Sequence, residues 1–235
     1  MDDLKLFAKS QEKLKDLITI VEKFSNDICM TFGLDKCKII NIEKGKIKSG
    51  NVQLADGGLM ESMDQHDLYK YLGYQQARTM DHKKIRENIK KEYIGRVNKV
   101  CKTELNSRNL FKAFNTLAIP VLNYSFGVIN WTETELDDIM RKTRTTLTTH
   151  RKHHPKASVL RMNTPRREGG RELIDIKNLH NNQVKMLRTY FLTRKETSPL
   201  HQLTCLIDKG YTPLNLTSVE PQRNEKITSF EEKYR

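Results

Sequence analysis

Met1-Asp2-Asp3-Leu4-Lys5-Leu6-Phe7-Ala8-Lys9 sets two adjacent carboxylates before a run in which Leu4, Leu6 and Ala8 alternate with Lys5 and Lys9. A period of two is the signature of a half-buried strand, so a strand with an Asp pair in front of it is expected here. Adjacent aspartates at the tip of a hairpin are one way to hold a divalent metal. Hard carboxylate oxygens suit Mg²⁺, which keeps several waters and takes one or two carboxylates from a segment. The same pair also reads as a solvated turn, and the residues after Lys9 weigh between the two.

Ser10 is placed to cap a helix running to about residue 31. Leu14, Leu17, Ile18, Val21, Phe24 and Ile28 form its apolar stripe, and Gly33 is positioned to stop it. Gly33-Leu34-Asp35-Lys36-Cys37 is a turn that leads into a β-prone run. Short strands and turns are expected across residues 45–58, and another strand in Leu68-Tyr69-Lys70-Tyr71-Leu72-Gly73-Tyr74. From residue 81 the pattern becomes helical. Ile85, Ile89, Val97 and Val100 mark one stripe, while Lys83, Lys84, Arg86, Lys90, Lys91, Arg96, Lys99 and Lys102 crowd the other faces. A second helix is expected from about Arg108 towards Trp131, kinked or broken at Pro120. Thr132 and Glu135 have capping-box spacing ahead of a third helix carrying Leu136, Ile139, Met140 and Leu147. A last amphipathic helix is expected from Ile176 to Arg194, then a loose polar tail after about Gly210.

Charge bounds the function. The 235 residues carry a formal net charge of +13, which points to a polyanionic partner, nucleic acid ahead of an anionic membrane. Residues 141–171 hold ten Lys or Arg against one acid, Glu168. No run approaches the ~18 apolar residues of a membrane span. Cys29, Cys37, Cys101 and Cys205 are scattered and read as reduced, buried thiols of an intracellular protein, nuclear or cytoplasmic. His150, His153 and His154 lack a nearby Cys or His pair at ligand spacing and read as part of the basic segment rather than a zinc site.

The Asp pair before a strand, the Gly-Leu-Asp-Lys turn after the next helix and the Tyr-Lys-Tyr-Leu-Gly strand resemble, in order and spacing, the distal palm of a non-LTR (LINE-type) retrotransposon reverse transcriptase. The resemblance continues through Leu117-Ala118-Ile119-Pro120-Val121-Leu122-Asn123-Tyr124-Ser125-Phe126-Gly127 and Ile129-Asn130-Trp131, which are similar to that family's thumb. His153-His154-Pro155-Lys156 and Pro165-Arg166-Arg167-Glu168-Gly169-Gly170-Arg171 resemble the segment after it. It covers roughly residues 1–195.

The implied fold is α+β: a small, incomplete antiparallel palm sheet with one helix (residues 1–78), then a mainly α-helical thumb (79–150). A basic post-thumb segment with a helix (151–210) and a polar tail (211–235) complete it. The implied activity is RNA-directed DNA synthesis by two-metal nucleotidyl transfer. Asp2 and Asp3 would supply part of a two-Mg²⁺ site, and Lys36 would approach the dNTP triphosphate. Tyr69, Lys70 and Tyr71 would position the primer. Lys83, Lys84, Lys90, Lys91 and Arg96, with Arg166 and Arg167, would follow the phosphates of an RNA template and DNA primer or their hybrid duplex. Each has a plainer reading: a surface lysine, half-buried strand tyrosines, a solvated helix face. The resemblance also implies that the fingers and the other palm aspartate are missing, so the chain alone is expected to be inactive without that N-terminal half of the polymerase. A non-enzymatic nucleic-acid-binding module and a remnant without function are the alternatives.

Overall fold

Ser10 caps the first helix as its spacing requires. Its hydroxyl accepts from the Lys13 amide at 3.3 Å, and α1 runs Gln11–Asp27. In the computed structural model, the structure describes residues 4–31, 33–54, 57–64, 67, 69–76 and 81–217. They fall into two compact units, one ahead of residue 82 and one from His82 onward.

The helix ends four residues earlier than the sequence suggests. Cys29 takes a left-handed φ of 56°, its amide donates to the Asn26 carbonyl, and the Met30 amide donates to the Ser25 carbonyl at 2.8 Å. That is a Schellman closure with cysteine where glycine is usual, and it makes Gly33 unnecessary as a stop. Only the first half of the apolar stripe is used. Ile18 is buried with Ile39, Val52, Leu54 and Met60, and Leu6, Leu14, Leu34 and Cys37 pack around them. Phe24 and Ile28 are exposed.

Among the described residues, the expected single palm-like sheet is not formed. The strands make three separate antiparallel hairpins instead: β1 (Asn41–Glu43) with β2 (Lys46–Lys48), β3 (Val52–Gln53) with β4 (Leu59–Met60), and β5 (Tyr69–Tyr71) with β6 (Tyr74–Gln76). Strands of two or three residues offer too few ladder bonds to recruit a neighbour, and Lys46 and Lys48 charge an edge that another strand would have to join. Residues 4–8 form no ladder with any described residue, which corrects the strand expected there. A period-2 pattern becomes a strand only where a partner supplies its hydrogen bonds. The segment read as one strand at 68–74 is a hairpin turned at Leu72 and Gly73, with φ of 48° and 82°. Positive φ at both central residues gives the primed turn whose twist matches two-residue hairpins.

The second unit is helical. It runs through α2 (His82–Cys101), α3 (Ser107–Ala113), a π turn (Phe114–Ala118), α4 (Ile119–Asn123), α5 (Glu133–Thr149), α6 (Leu160–Asn163), α7 (Ile176–Arg194) and α8 (Pro199–Ile207). Pro120 does not break the chain's helical path. The π turn before it shifts the register, and the Ile119 amide reaches the Phe114 carbonyl five residues back. The path ends at Asn123, short of Trp131, and Trp131 instead tucks in with its indole N–H donating to Ser125 Oγ at 2.9 Å. Thr132 and Glu135 form the expected capping box.

The core is built from Tyr93, Val97, Phe111, Phe114, Leu122, Phe126, Ile129, Leu136, Ile139 and Leu147, all fully buried. α2 packs on α4, the π turn and α5, while α4 and α5 pack on α7. Two expectations fail towards the end of the chain. α8 follows α7, and residues 211–217 are anchored: Leu214 and Leu216 are buried, and the Asp208 carboxylate accepts from the amides of Thr212 and Leu216. Of the four thiols, Cys101 and Cys205 are buried, but Cys29 is exposed and Cys37 half-buried. Burial pushes the Cys101 thiol up to about 11, so it stays protonated.

Candidate nucleic-acid interface

The α2 helix sorts its cations into two sets. Ile85, Tyr93, Val97, Val100 and Cys101 face the core, and residues one turn to either side are drawn into contacts with it. Arg86 Nε lies 2.9 Å from Glu135 Oε1 as an ion pair without hydrogen-bond alignment, while its Nη1 donates to the Asn130 carbonyl at 2.6 Å. Lys90 sits 3.8 Å from Glu135 and 5.9 Å from the centre of the Trp131 ring. Arg96 donates to Glu92 at 2.8 Å and to the Leu117 carbonyl at 2.9 Å. Lys90 and Arg96 are therefore committed to the fold before any ligand arrives. Lys83, Lys84, Lys91 and Lys99 are exposed, with Lys102 in the turn just after the helix. Lys84 and Lys91 are two turns apart on one line, and Lys99 lies a further eight residues on, about 80° round the helix from Lys91, so the three span roughly 22 Å along the axis at 1.5 Å per residue.

Tyr69 and Tyr71 stack on one face of their hairpin, ring centres 6.4 Å apart at 25°, and Lys5 lies over Tyr71 at 5.3 Å. Lys70 points the other way and is exposed. The two rings form a half-buried aromatic ledge with a cation beside it.

Lys36 is exposed at the end of a short 3₁₀ turn (Leu34–Lys36). Asp2 and Asp3 lie outside the described residues. Among the described residues no group of three His, Cys, Asp or Glu stands together in a way that could hold a metal ion. The three histidines diverge. His150 Nε2 meets Asn98 Oδ1 at 3.1 Å, His154 Nδ1 accepts from the Lys156 amide, and His153 is buried. Burial, then the surrounding Arg171, His154, Arg161 and Arg144, keeps His153 below the usual imidazole range.

Arg166 and Arg167 begin a 3₁₀ turn (Arg166–Glu168) and part at once. Arg167 is exposed beside Glu168 at 3.2 Å. Arg166 turns inward, donates from Nη2 to the Ser107 carbonyl at 3.0 Å, and lies 3.7 Å from Glu172. The turn closes on Gly169, at φ 79°, and Gly170. A Cβ on Gly170 would stand 1.8 Å from the Thr164 carbonyl oxygen, so only glycine fits where the two passes of backbone touch.

This turn forms one wall of a cleft of about 710 Å³, and α3 forms the other. Arg108 and Lys112 face Arg166 and Arg171 across it, with Glu172 as the acid in its lining. Arg171 donates to Ser107 Oγ and lies over the Phe111 ring at 5.7 Å. Sequence reading missed Arg108, Lys112 and Arg171 as a group. The only signal was weak: an Arg–Lys pair at i, i+4 in Ser107-Arg108-Asn109-Leu110-Phe111-Lys112.

No family model, curated protein or solved structure matches the chain.

Proposed function

We propose that the chain binds nucleic acid as the distal palm, thumb and post-thumb of a non-LTR-type reverse transcriptase, and that it binds without sequence preference. The observation that carries the binding is the exposed set Lys84, Lys91 and Lys99 on one helix, with Lys102 in the turn after it, in a +13 chain. Cations held in a line by a helix neutralise successive phosphates and release counterions, which is affinity without base readout. The order of motifs through residue 195 supports the enzyme family, as does a small α+β unit followed by a helical one.

Two experiments test it. Replacing Lys91, Lys99 and Lys102 by Ala should weaken binding of an RNA–DNA hybrid and flatten its salt dependence, with the fold intact. Co-expression with the upstream fingers-and-palm half of a non-LTR reverse transcriptase should restore primer extension, lost again in Asp2→Ala.

A second reading, a non-enzymatic binding module, is favoured by the closure of the core from His82 onward among its own helices. Hybrid binding that persists while reconstitution never yields synthesis would select it.

A further inference from the structure

We propose that the cleft between α3 and the 166–172 turn is a second phosphate site, one that seats the phosphodiester backbone of a single nucleic-acid strand. The inference rests on the nucleic-acid reading above and adds a place the α2 row does not include.

Four cations line the cleft against one carboxylate, and they differ in how they are held. Ser107 fixes two of them, Arg166 through its carbonyl and Arg171 through its hydroxyl. Each guanidinium has five N–H donors in a planar fork, so one bond to Ser107 leaves others for a ligand. Their rotamers are already ordered, and a ligand meets them without that entropic cost. Arg108 and Lys112 occupy the opposite wall one helical turn apart, about 5–6 Å between side-chain origins, and have no acidic partner among the described residues. Like charges gathered with only Glu172 to offset them raise the free energy of the empty cleft. An anion relieves it.

The lining also says which anion. A volume of about 710 Å³ lies within the ~300–1,000 Å³ of small-ligand sites. The wall is Arg, Lys and Asn, and its aromatic, Phe111, is 1% exposed and covered by Arg171. No ring is presented for a base to stack on, so the recognised feature is the charged backbone rather than the bases. An acidic peptide would satisfy the same charges. The forked Arg pair fits a phosphate, and the +13 charge of the chain favours a polyanion.

The test uses the full chain and fluorescence anisotropy with a labelled single-stranded oligonucleotide across a salt series. Arg108→Ala with Lys112→Ala removes exposed side chains that have no acidic partner among the described residues, so thermal unfolding should be unchanged. Affinity near 0.1 M salt should fall about tenfold, and the log–log salt slope should drop by about 1.4, two contacts at ~0.7 each. Lys84→Ala with Lys91→Ala serves as the comparison. An unchanged slope in the cleft variant, with a reduced one in the α2 variant, overturns the cleft proposal and leaves the basic-helix reading standing. A wild-type chain that binds no nucleic acid overturns both. Binding of poly-glutamate that depends on Arg108 and Lys112, with oligonucleotide affinity unaffected by them, also overturns it.

Discussion

The Tyr93 hydroxyl meets Thr143 Oγ1 at 3.1 Å in the buried seam where α2 crosses α5. Thr143 Oγ1 also donates to the Ile139 carbonyl at 2.8 Å, so its single proton is spent and Tyr93 is the donor between them. Burial pushes the Tyr93 phenol up to about 12, which keeps that proton in place at any physiological pH. Tyr93→Phe should lower stability by about 1 kcal/mol, and Thr143→Val by a similar amount. Because both remove the same bond, the double variant should cost less than their sum. Urea unfolding of the four chains measures this, and strict additivity would show that the two hydroxyls are not coupled.

Glu135 does three things at the start of α5. It accepts the Thr132 amide at 3.0 Å, faces Arg86 at 2.9 Å and stands near Lys90. Burial alone would raise its carboxyl, but the Thr132 bonds and the two cations hold it below the ordinary carboxylate range. A depressed carboxyl stabilises the fold above its unfolded value and loses that contribution as pH falls through the folded one. Thr132→Ala should cost about 0.5–2 kcal/mol. Glu135→Ala should cost more, since it also removes the carboxylate facing Arg86 and Lys90, and its excess cost should vanish in acid. An equal loss at all pH values would contradict the ionic part of the role.

Two histidines set a separate acid limit. His153 is held low chiefly by burial, with Arg171, His154, Arg161 and Arg144 adding to it. Burial also lowers His180, whose ring lies edge-on to Phe126 at 4.9 Å, partly opposed by its bond to Asn181. Both bind protons more readily unfolded than folded. Their stabilisation is therefore complete above the ordinary value of about 6.5 and declines below it. Melting temperature should drop between pH 7 and pH 5, before the carboxylates titrate. His153→Gln should flatten that drop. A profile level from pH 7 to 5 in the wild type would refute it.

Gly95 lies in the middle of α2, and a Cβ there would meet nothing within 4 Å. Gly95→Ala should stabilise the chain by about 0.5–1 kcal/mol through helix propensity and the unfolded state. A loss of stability, read by thermal unfolding, would point to an unseen contact.

The features legible in the sequence are those fixed locally. Ser10, the Thr132–Glu135 box and the ends of α7 all follow from residues within one or two turns. What escaped is what distant residues decide. The α1 stop depends on Cys29 accepting a left-handed φ that its residue type does not advertise, and the path through Pro120 depends on a π turn with no sequence mark. The 211–217 segment reads as a polar tail because Asp208 and Arg188, which hold it, sit on α8's end and α7. Residues 4–8 carry a strand's alternation without a partner among the described residues. The candidate site divides in the same way. Lys84, Lys91 and Lys99 could be placed on one face from spacing alone. Lys90 and Arg96 look identical in the sequence, yet Glu135, Trp131, Glu92 and Leu117 claim them. The cleft joins Arg108 and Lys112 to Arg166 and Arg171, more than fifty residues away, a proximity that no periodicity encodes.

The most direct measurement is the salt dependence of RNA–DNA hybrid binding by the full chain, taken with and without EDTA. Binding by the α2 lysines and the cleft arginines should give a log affinity that falls linearly with log salt, by about 0.7–0.9 for each phosphate neutralised, over several phosphates. EDTA should leave the curve unmoved, since the cations in contact are side chains. Affinity that is level between low and physiological salt, or that disappears with EDTA, would contradict the account.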